Sequence, residues 1–89
     1  SWDNSNFTLD LNGNNRNNGG RFNLWQRNGT SAQFFRFDNG RNEIKLGGKC
    51  LDIAGSNFNN GTQVQIWDCN GTGAQKWYFD GVALVAMAN

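Results

Sequence analysis

Residues 48–79 read GKCLDIAGSNFNNGTQVQIWDCNGTGAQKWYF, and this stretch organises the rest of the chain. It contains three apolar, β-prone runs, at 50–53, 64–67 and 77–79. Segments rich in Asn and Gly separate the runs, and these residue types supply the positive φ angles that tight turns need. The pattern therefore predicts short strands joined by turns.

The flanking sequence repeats this alternation of strand and turn. Residues 12–20 consist almost entirely of Asn and Gly and are predicted to form a flexible loop. No helical period of 3.6 residues persists anywhere, so the predicted fold class is all-β. Further strands or apolar runs are predicted at 7–11, 21–26, 33–37, 43–46 and 82–87.

The chain contains an internal repeat. Fifteen of the 32 residues between 7 and 38 are identical to the residue 42 positions later, without a gap. The matches include Asp10 with Asp52 and Trp25 with Trp67. A self-match of this kind indicates duplication of one structural unit. We therefore predict one domain over residues 1–89, with a first repeat at 1–42, a second at 43–81 and the start of a third at 82–89.

Composition narrows the classes of function. The 89 residues have a formal net charge of +1 and include no His. A nearly neutral chain creates no strong field for nucleic acid or an anionic membrane, and no apolar run approaches the roughly 18 residues of a membrane span. The absence of His removes the usual general base and the commonest metal ligand. We expect no nucleic-acid partner, no membrane insertion, no metal and no cofactor.

Three motifs in the central stretch carry a family resemblance. They are K-C-L-D at 49–52, Q-I-W-D-C at 65–69 and Q-x-W at 75–77. Together they resemble one repeat of the ricin-B-type lectins, also called family 13 carbohydrate-binding modules. The resemblance implies a non-catalytic, sugar-binding β-trefoil built from three such repeats. Because this chain holds two repeats and the first strand of a third, we expect a partial trefoil, or one that another chain or segment completes.

A saccharide site combines a carboxylate, which accepts hydrogen bonds from two neighbouring hydroxyls, with an aromatic ring that packs on the C–H face of the sugar. The resemblance implies that Asp52 binds the hydroxyl pair, that Trp67 stacks on the sugar and that Gln75 holds the aspartate side chain. The predicted sugar-binding residues are Asp52, Gln65, Trp67, Asn70 and Gln75 in the second unit, and Asp10, Asn23, Trp25, Asn28 and Gln33 in the first.

Each of these residues also has a purely structural interpretation. Asp52 precedes a Gly-rich loop and fits a turn residue, Trp67 fits a core residue, and Asn70 begins an Asn-Gly-Thr turn. Trp77 fits the core better than a ligand site. Many family sites also have an amide residue directly before the Gln of the Q-x-W motif. Ala74 and its counterpart Ala32 stand there in this chain, so the resemblance implies one hydrogen bond fewer to the sugar in both units.

The two cysteines behave as a pair. Cys50 and Cys69 lie in the second unit, and the first unit has Thr8 and Arg27 at the matching positions. Two independent thiols would rarely be lost together, although two buried free thiols remain the alternative. A bridge between these positions is common in the family. We therefore predict a Cys50–Cys69 disulfide, an oxidising compartment and hence a secreted protein.

The leading functional hypothesis is a non-catalytic, lectin-type module that binds carbohydrate. Such a module could be one part of a secreted glycoside hydrolase or toxin. Galactose-, xylan- and mannose-type family members share these motifs, so all three glycan types stay open. The alternative is a β-trefoil that binds protein and has lost sugar binding. A stand-alone glycosidase would need two carboxylates about 5–10 Å apart, whereas Asp10 and Asp52 occupy equivalent places in separate units.

Overall fold

The computed structural model describes residues 7–87, and the predicted domain ends, 1–6 and 88–89, lie outside this range. The prediction of an all-β chain is confirmed. None of the helical segments in residues 7–87 has the length and apolar character of a membrane span. The strands are β1 (Phe7–Leu11), β2 (Phe22–Gln26), β3 (Arg36–Asp38), β4 (Glu43–Leu46), β5 (Lys49–Ile53), β6 (Val64–Asp68), β7 (Trp77–Phe79) and β8 (Leu84–Ala86). Short 3-10 turns occupy Asn12–Asn14, Ser31–Gln33, Ala54–Ser56 and Gly73–Gln75.

All strand pairs are antiparallel. β1 pairs with β2, and β7 pairs with β8, as two hairpins. The other four strands form one sheet in the order β3-β4-β5-β6. A single bridge between Arg21 and Gln65 connects the first hairpin to the free edge of β6. The first unit therefore meets this sheet at both edges, through β3 at one edge and through the bridge to β6 at the other.

The order of elements recurs at the offset of the sequence repeat. β1 and β2 correspond to β5 and β6 at a shift of 42 residues, and the turns that follow each strand correspond at the same shift. The equivalent glycines Gly13 and Gly55 have φ angles of 62° and 63° in the turns after β1 and β5. A residue with a Cβ is strained in this region, so the sequence match reflects a shared backbone requirement. The exact repeat boundaries remain a prediction.

The two units differ in how well their apolar faces are covered. In the second unit, Leu51 and Ile66 lie opposite each other on β5 and β6 and are 4% and 0% exposed. Their counterparts in the first unit, Leu9 and Leu24, are 36% and 66% exposed. The prediction that Trp77 is a core residue is confirmed: it is buried, and its Nε1–H donates to the Leu51 carbonyl at 3.0 Å.

The predicted strand at 33–37 is wrong in its first half, because Gln33 ends a 3-10 turn and β3 begins only at Arg36. The Gln33 amide nitrogen donates to the Gln26 carbonyl (2.8 Å) and to Asp10 Oδ2 (2.9 Å). These bonds hold Gln33 in the turn, although the neighbouring phenylalanines are β-prone.

The apolar run at 82–87 forms a strand only over Leu84–Ala86. Asp80 Oδ1 accepts hydrogen bonds from the backbone N–H groups of Ala83 (2.7 Å) and Val82 (2.8 Å). These amides form a turn before β8, and they lower the pKa of the Asp80 carboxyl because they favour its charged form.

Candidate functional site

The β5–β6 hairpin has one apolar and one polar face. Asp52 lies directly opposite Gln65, and Cys50 lies directly opposite Trp67. Directly opposed residues of antiparallel strands project from the same face, and alternate residues along a strand share a face. The register therefore brings Asp52, Gln65 and Trp67 together on the face opposite the buried Leu51–Ile66 pair.

The Asp52 carboxylate is buried and held by two amides. Gln75 Nε2 donates to Asp52 Oδ2 at 2.8 Å, and Gln65 Nε2 donates to Asp52 Oδ1 at 3.2 Å. An ionised carboxylate has about four acceptor positions, so each oxygen keeps capacity for a further donor. The acid is thus fixed in orientation but still able to accept hydrogen bonds from a ligand.

Gln75 supports this carboxylate from the interior. Its side chain is fully buried, and its Nε2 also donates to the Asp68 carbonyl at 2.8 Å. Its Oε1 accepts a hydrogen bond from the Asn70 N–H at 2.9 Å. Both polar atoms of the Gln75 amide are therefore hydrogen-bonded within the protein. The side chain supports Asp52 and is not directed at a ligand.

Asn70 is partly committed to a local turn. Its Oδ1 accepts hydrogen bonds from the Thr72 N–H (3.1 Å) and from Thr72 Oγ1 (2.7 Å). The Asn-Gly-Thr turn considered from sequence is thus present, and only the amide NH2 of Asn70 is left for a ligand. Trp67, in contrast, is 38% exposed and offers a ring surface to solvent.

The first unit builds the same arrangement more loosely. Asp10 lies opposite Asn23, and Thr8 lies opposite Trp25, which is 55% exposed. Gln33 Nε2 donates to Asp10 Oδ2 at 2.9 Å, and Gln33 Oε1 accepts from the Asn28 N–H at 3.0 Å. Within residues 7–87, however, the shorter Asn23 makes no bond to Asp10 that would match the Gln65–Asp52 bond.

Asn28 repeats the turn of Asn70: its Oδ1 accepts from the Thr30 N–H at 3.0 Å and from Thr30 Oγ1 at 2.7 Å. The turn is therefore a property of the repeat and does not depend on the disulfide. Asn28, like Asn70, keeps only its amide NH2 for a ligand.

The predicted disulfide is confirmed. Cys50 and Cys69 are bonded, with their Cα atoms 5.1 Å apart, and they tie β5 to the residue after β6. Among residues 7–87, the three-residue group with ligand atoms close enough to hold a metal ion consists of Glu43 and these two cysteines. Both sulfur atoms are used in the disulfide, so this group offers no thiolate ligands.

The first unit contributes residues beside the candidate site of the second unit, and the sequence did not predict this. Residues 12–20 were predicted to be a flexible loop, but their last part packs along β6. Asn18 Nδ2 donates to Asp68 Oδ2 at 3.0 Å, and Asn18 Oδ1 accepts from the Asp68 N–H at 2.9 Å. Arg21 pairs with Gln65. These contacts join residues about 45 to 50 positions apart, and no local sequence pattern signals them.

The family model for the ricin-type β-trefoil lectin domain matches residues 2–87. A search of the curated proteins found no match.

Two solved structures resemble the chain closely. One is the β-trefoil lectin of the Vibrio vulnificus hemolysin/cytolysin with N-acetyl-D-lactosamine bound: TM-score 0.76, identity 26%, covering 97% of this chain and 63% of that one. The other is ThreeFoil, a designed 3-fold symmetric protein: TM-score 0.76, identity 23%, covering 93% of this chain and 71% of that one. The predicted β-trefoil fold is confirmed, and this chain spans less than two thirds of the Vibrio structure.

Proposed function

Because the chain belongs to the ricin-type β-trefoil lectin family, we propose that it binds carbohydrate without catalysis, through one site in each unit. The observation that carries the proposal is the Asp52 carboxylate, which Gln75 and Gln65 hold at 2.8 and 3.2 Å on the face that also bears the exposed Trp67. The sugar-bound state of the Vibrio lectin supports it.

The chemistry of this face suits a saccharide. A pair of neighbouring hydroxyls donates hydrogen bonds to the two oxygens of Asp52, each of which already accepts one amide bond and has room for another. The indole of Trp67 packs on the C–H face of the sugar ring. The Asn70 amide NH2 and Gln65 supply further polar contacts at the edge. No group in this arrangement acts as a paired general acid and base.

We rank the second unit above the first. In the second unit the disulfide ties the Asp52 strand to the end of the Trp67 strand, and Gln65 adds a bond to the carboxylate. Pre-ordered groups lower the entropy cost of binding. The first unit has Thr8 and Arg27 in place of the cysteines and no amide bond from Asn23 to Asp10. Shallow polar sites of this kind bind single sugars at about millimolar affinity.

We also propose that a further segment or chain completes the fold. An open cavity of about 470 Å³ has a mostly apolar lining that includes Leu9, Phe37, Phe79 and Leu84. Leu51 and Ile66, the equivalents of Leu9 and Leu24, are buried in the second unit. We therefore propose that a third unit of the same repeat would cover the exposed apolar face of the first unit. Such a unit supplies an apolar hairpin face and removes the exposed edges.

The disulfide also supports the proposed secreted location, because such bonds persist in oxidising compartments. The same location is consistent with a secreted glycoside hydrolase or toxin that carries this domain as its binding module. The type of glycan, whether of the galactose, xylan or mannose type, is left to the binding experiment.

The test is a glycan array on the intact protein, followed by calorimetric titration of a binding sugar. We expect Asp52→Asn to remove most of the binding and Asp10→Asn to remove a smaller part, because each substitution loses an acceptor for the hydroxyl pair. Thermal unfolding of both variants controls for folding. Greater loss in Asp10→Asn would reverse the ranking of the sites. Absence of binding to any glycan would overturn the proposal and favour the protein-binding alternative.

A further inference from the structure

The proposed sugar site of the second unit continues beyond Gln65, because a segment of the first unit lies alongside β6. The Gly19 N–H donates to the Ile66 carbonyl at 2.8 Å, and the Ile66 N–H donates to the Gly20 carbonyl at 2.7 Å. Arg21 then pairs with Gln65 in an antiparallel bridge. Arg21, Gln65 and Asp52 therefore form a row across three neighbouring strand segments.

The register places this row on one face. Gln65 shares its face with Asp52 because the two are directly opposed, and Arg21 shares it with Gln65 for the same reason. Neighbouring strands lie about 4.8 Å apart, so the Cα atoms of Arg21 and Asp52 are separated by roughly 10 Å. A saccharide bound at Asp52 therefore has a charged neighbour within reach of a substituent or of the next sugar in a chain.

The Arg21 side chain is available to a ligand. It is exposed, and within residues 7–87 no hydrogen bond or ion pair engages its guanidinium. Asp52, the acid on this face, is directed toward the amides of Gln75 and Gln65. Asp68 belongs to the other face of β6, where Asn18 bonds to it and Lys49 lies 3.8 Å away. Neither acid neutralises Arg21.

The fold does not itself require an arginine at this position. Its counterpart in the second unit, 42 residues later, is the neutral Gln63, whose Nε2 donates to the Val64 carbonyl at 2.8 Å. The repeat therefore tolerates an uncharged side chain here. The guanidinium of Arg21 is a feature that the first unit adds to the neighbouring site.

We propose that Arg21 makes the second unit's site selective for saccharides that carry an anionic group, either a carboxylate or a sulfate. This inference rests on the proposed function and specifies its ligand. The planar guanidinium presents two parallel N–H donors, which match the geometry of both oxyanions. The amide donors of Gln75 and Gln65 partly offset the charge of the Asp52 carboxylate, which reduces its repulsion of the anion.

The test compares neutral and anionic forms of the same sugar by calorimetric titration. The pairs are N-acetyllactosamine with its 3′-sulfated and 3′-sialylated forms, and galactose with galacturonic acid. We expect the native protein to bind an anionic form about five- to tenfold more tightly than its neutral partner, and the preference to shrink as salt is raised. Preference for only the sulfate or only the carboxylate would support the proposal for that group.

Three variants separate Arg21 from a general charge effect. Arg21→Gln installs the side chain that the second unit carries, and we expect it to abolish the preference while changing neutral-sugar affinity less than about twofold. Arg21→Lys should restore part of the preference. The matched control, Arg36→Gln, removes the same charge from β3 at the other edge of the sheet and should keep the preference.

The outcomes distinguish this inference from the proposed function. If neutral sugars bind and Asp52→Asn removes that binding, but anionic forms are not preferred, Arg21 has no such role while the proposed function stands. The same holds if Arg21→Gln keeps the preference. If no saccharide binds the native protein, both proposals fail together. Thermal unfolding of each variant shows whether a lost preference reflects lost folding.

Discussion

The two units share a sequence pattern and a hairpin register but differ in what surrounds them. On the polar face one contact is kept almost unchanged: the glutamine-to-aspartate bond measures 2.8 Å in the second unit and 2.9 Å in the first. On the apolar face the difference is large, because Leu51 and Ile66 are buried whereas Leu9 and Leu24 are exposed. The local chemistry of the site therefore survives without a complete core, while the packing depends on a neighbouring unit.

The largest expected effect tests this contrast in packing. Ile66→Ala should lower the free energy of unfolding by about 2–5 kcal/mol, since it opens a cavity in a covered core. The matched change Leu24→Ala should cost about 0.5 kcal/mol or less, because the side chain is exposed. Urea denaturation of both variants gives the comparison.

Equal losses of stability in these two variants would mean that Leu24 is covered in solution by a second molecule or another segment. A longer chain that carries a third unit sharpens the test. In that chain, the cost of Leu24→Ala should rise toward the cost of Ile66→Ala.

The disulfide gives the next effect and belongs to the second unit alone. Replacing both cysteines with serine should lower the free energy of unfolding by about 3 kcal/mol, because the bridge restricts a loop of about 20 residues in the unfolded chain. Denaturant unfolding measures the loss. Mass spectrometry of the unreduced native protein is the control, and two free thiols there would contradict the account.

A smaller contrast concerns the two glutamines that brace the carboxylates. Gln75→Ala should cost about 2 kcal/mol, because it leaves the Asp68 carbonyl, the Asn70 N–H and one oxygen of Asp52 without their partner. Gln33 is less buried, so Gln33→Ala should cost about 1 kcal/mol or less. Thermal unfolding of the pair checks this, and a larger effect at Gln33 would be inconsistent with the difference in burial.

The smallest expected effect is the pH dependence of stability that Asp80 contributes. The amides of Ala83 and Val82 lower its folded-state pKa below the unfolded value. The carboxylate therefore contributes stability above the unfolded pKa, and that contribution is lost as the pH falls through the folded pKa. An NMR titration of the Asp80 carboxyl carbon should show the lowered pKa. Asp80→Asn has no carboxyl group at this position, so this titration should disappear from its spectrum. A carboxyl that titrates at its ordinary pKa would mean that the turn is not formed in solution.

Much of this arrangement is predictable because it is local. Short alternating or apolar, β-prone runs predict β1, β2, β4, β5 and β6, and the 42-residue self-match predicts that Asp10 and Asp52 occupy equivalent places. The paired loss of the cysteines in the first unit points to the disulfide. Each of these inferences depends either on the residues within one repeat or on a position-by-position comparison of the two repeats.

The parts that were missed involve the contacts of side chains with distant backbone. Gln33 was predicted to begin a strand, yet its amide bonds to Gln26 and Asp10 hold it in a turn. Arg21 and Asn18 lie in or next to a segment that looks like a loop, yet they pair with β6 of the other unit. The positions of Arg21 and Asn18 depend on how the two units pack against each other. No local pattern of residues in the sequence indicates that packing.

The most direct test of the central claim follows the indole N–H signals of Trp67, Trp25 and Trp77 by NMR while a binding sugar is added. If the carboxylate of the second unit forms the better site, the Trp67 signal moves first and the Trp25 signal moves at higher sugar concentration. The signal of Trp77, buried and bonded to the Leu51 carbonyl, stays in place. Movement of Trp25 before Trp67, or of Trp77 with both others unchanged, would contradict the account.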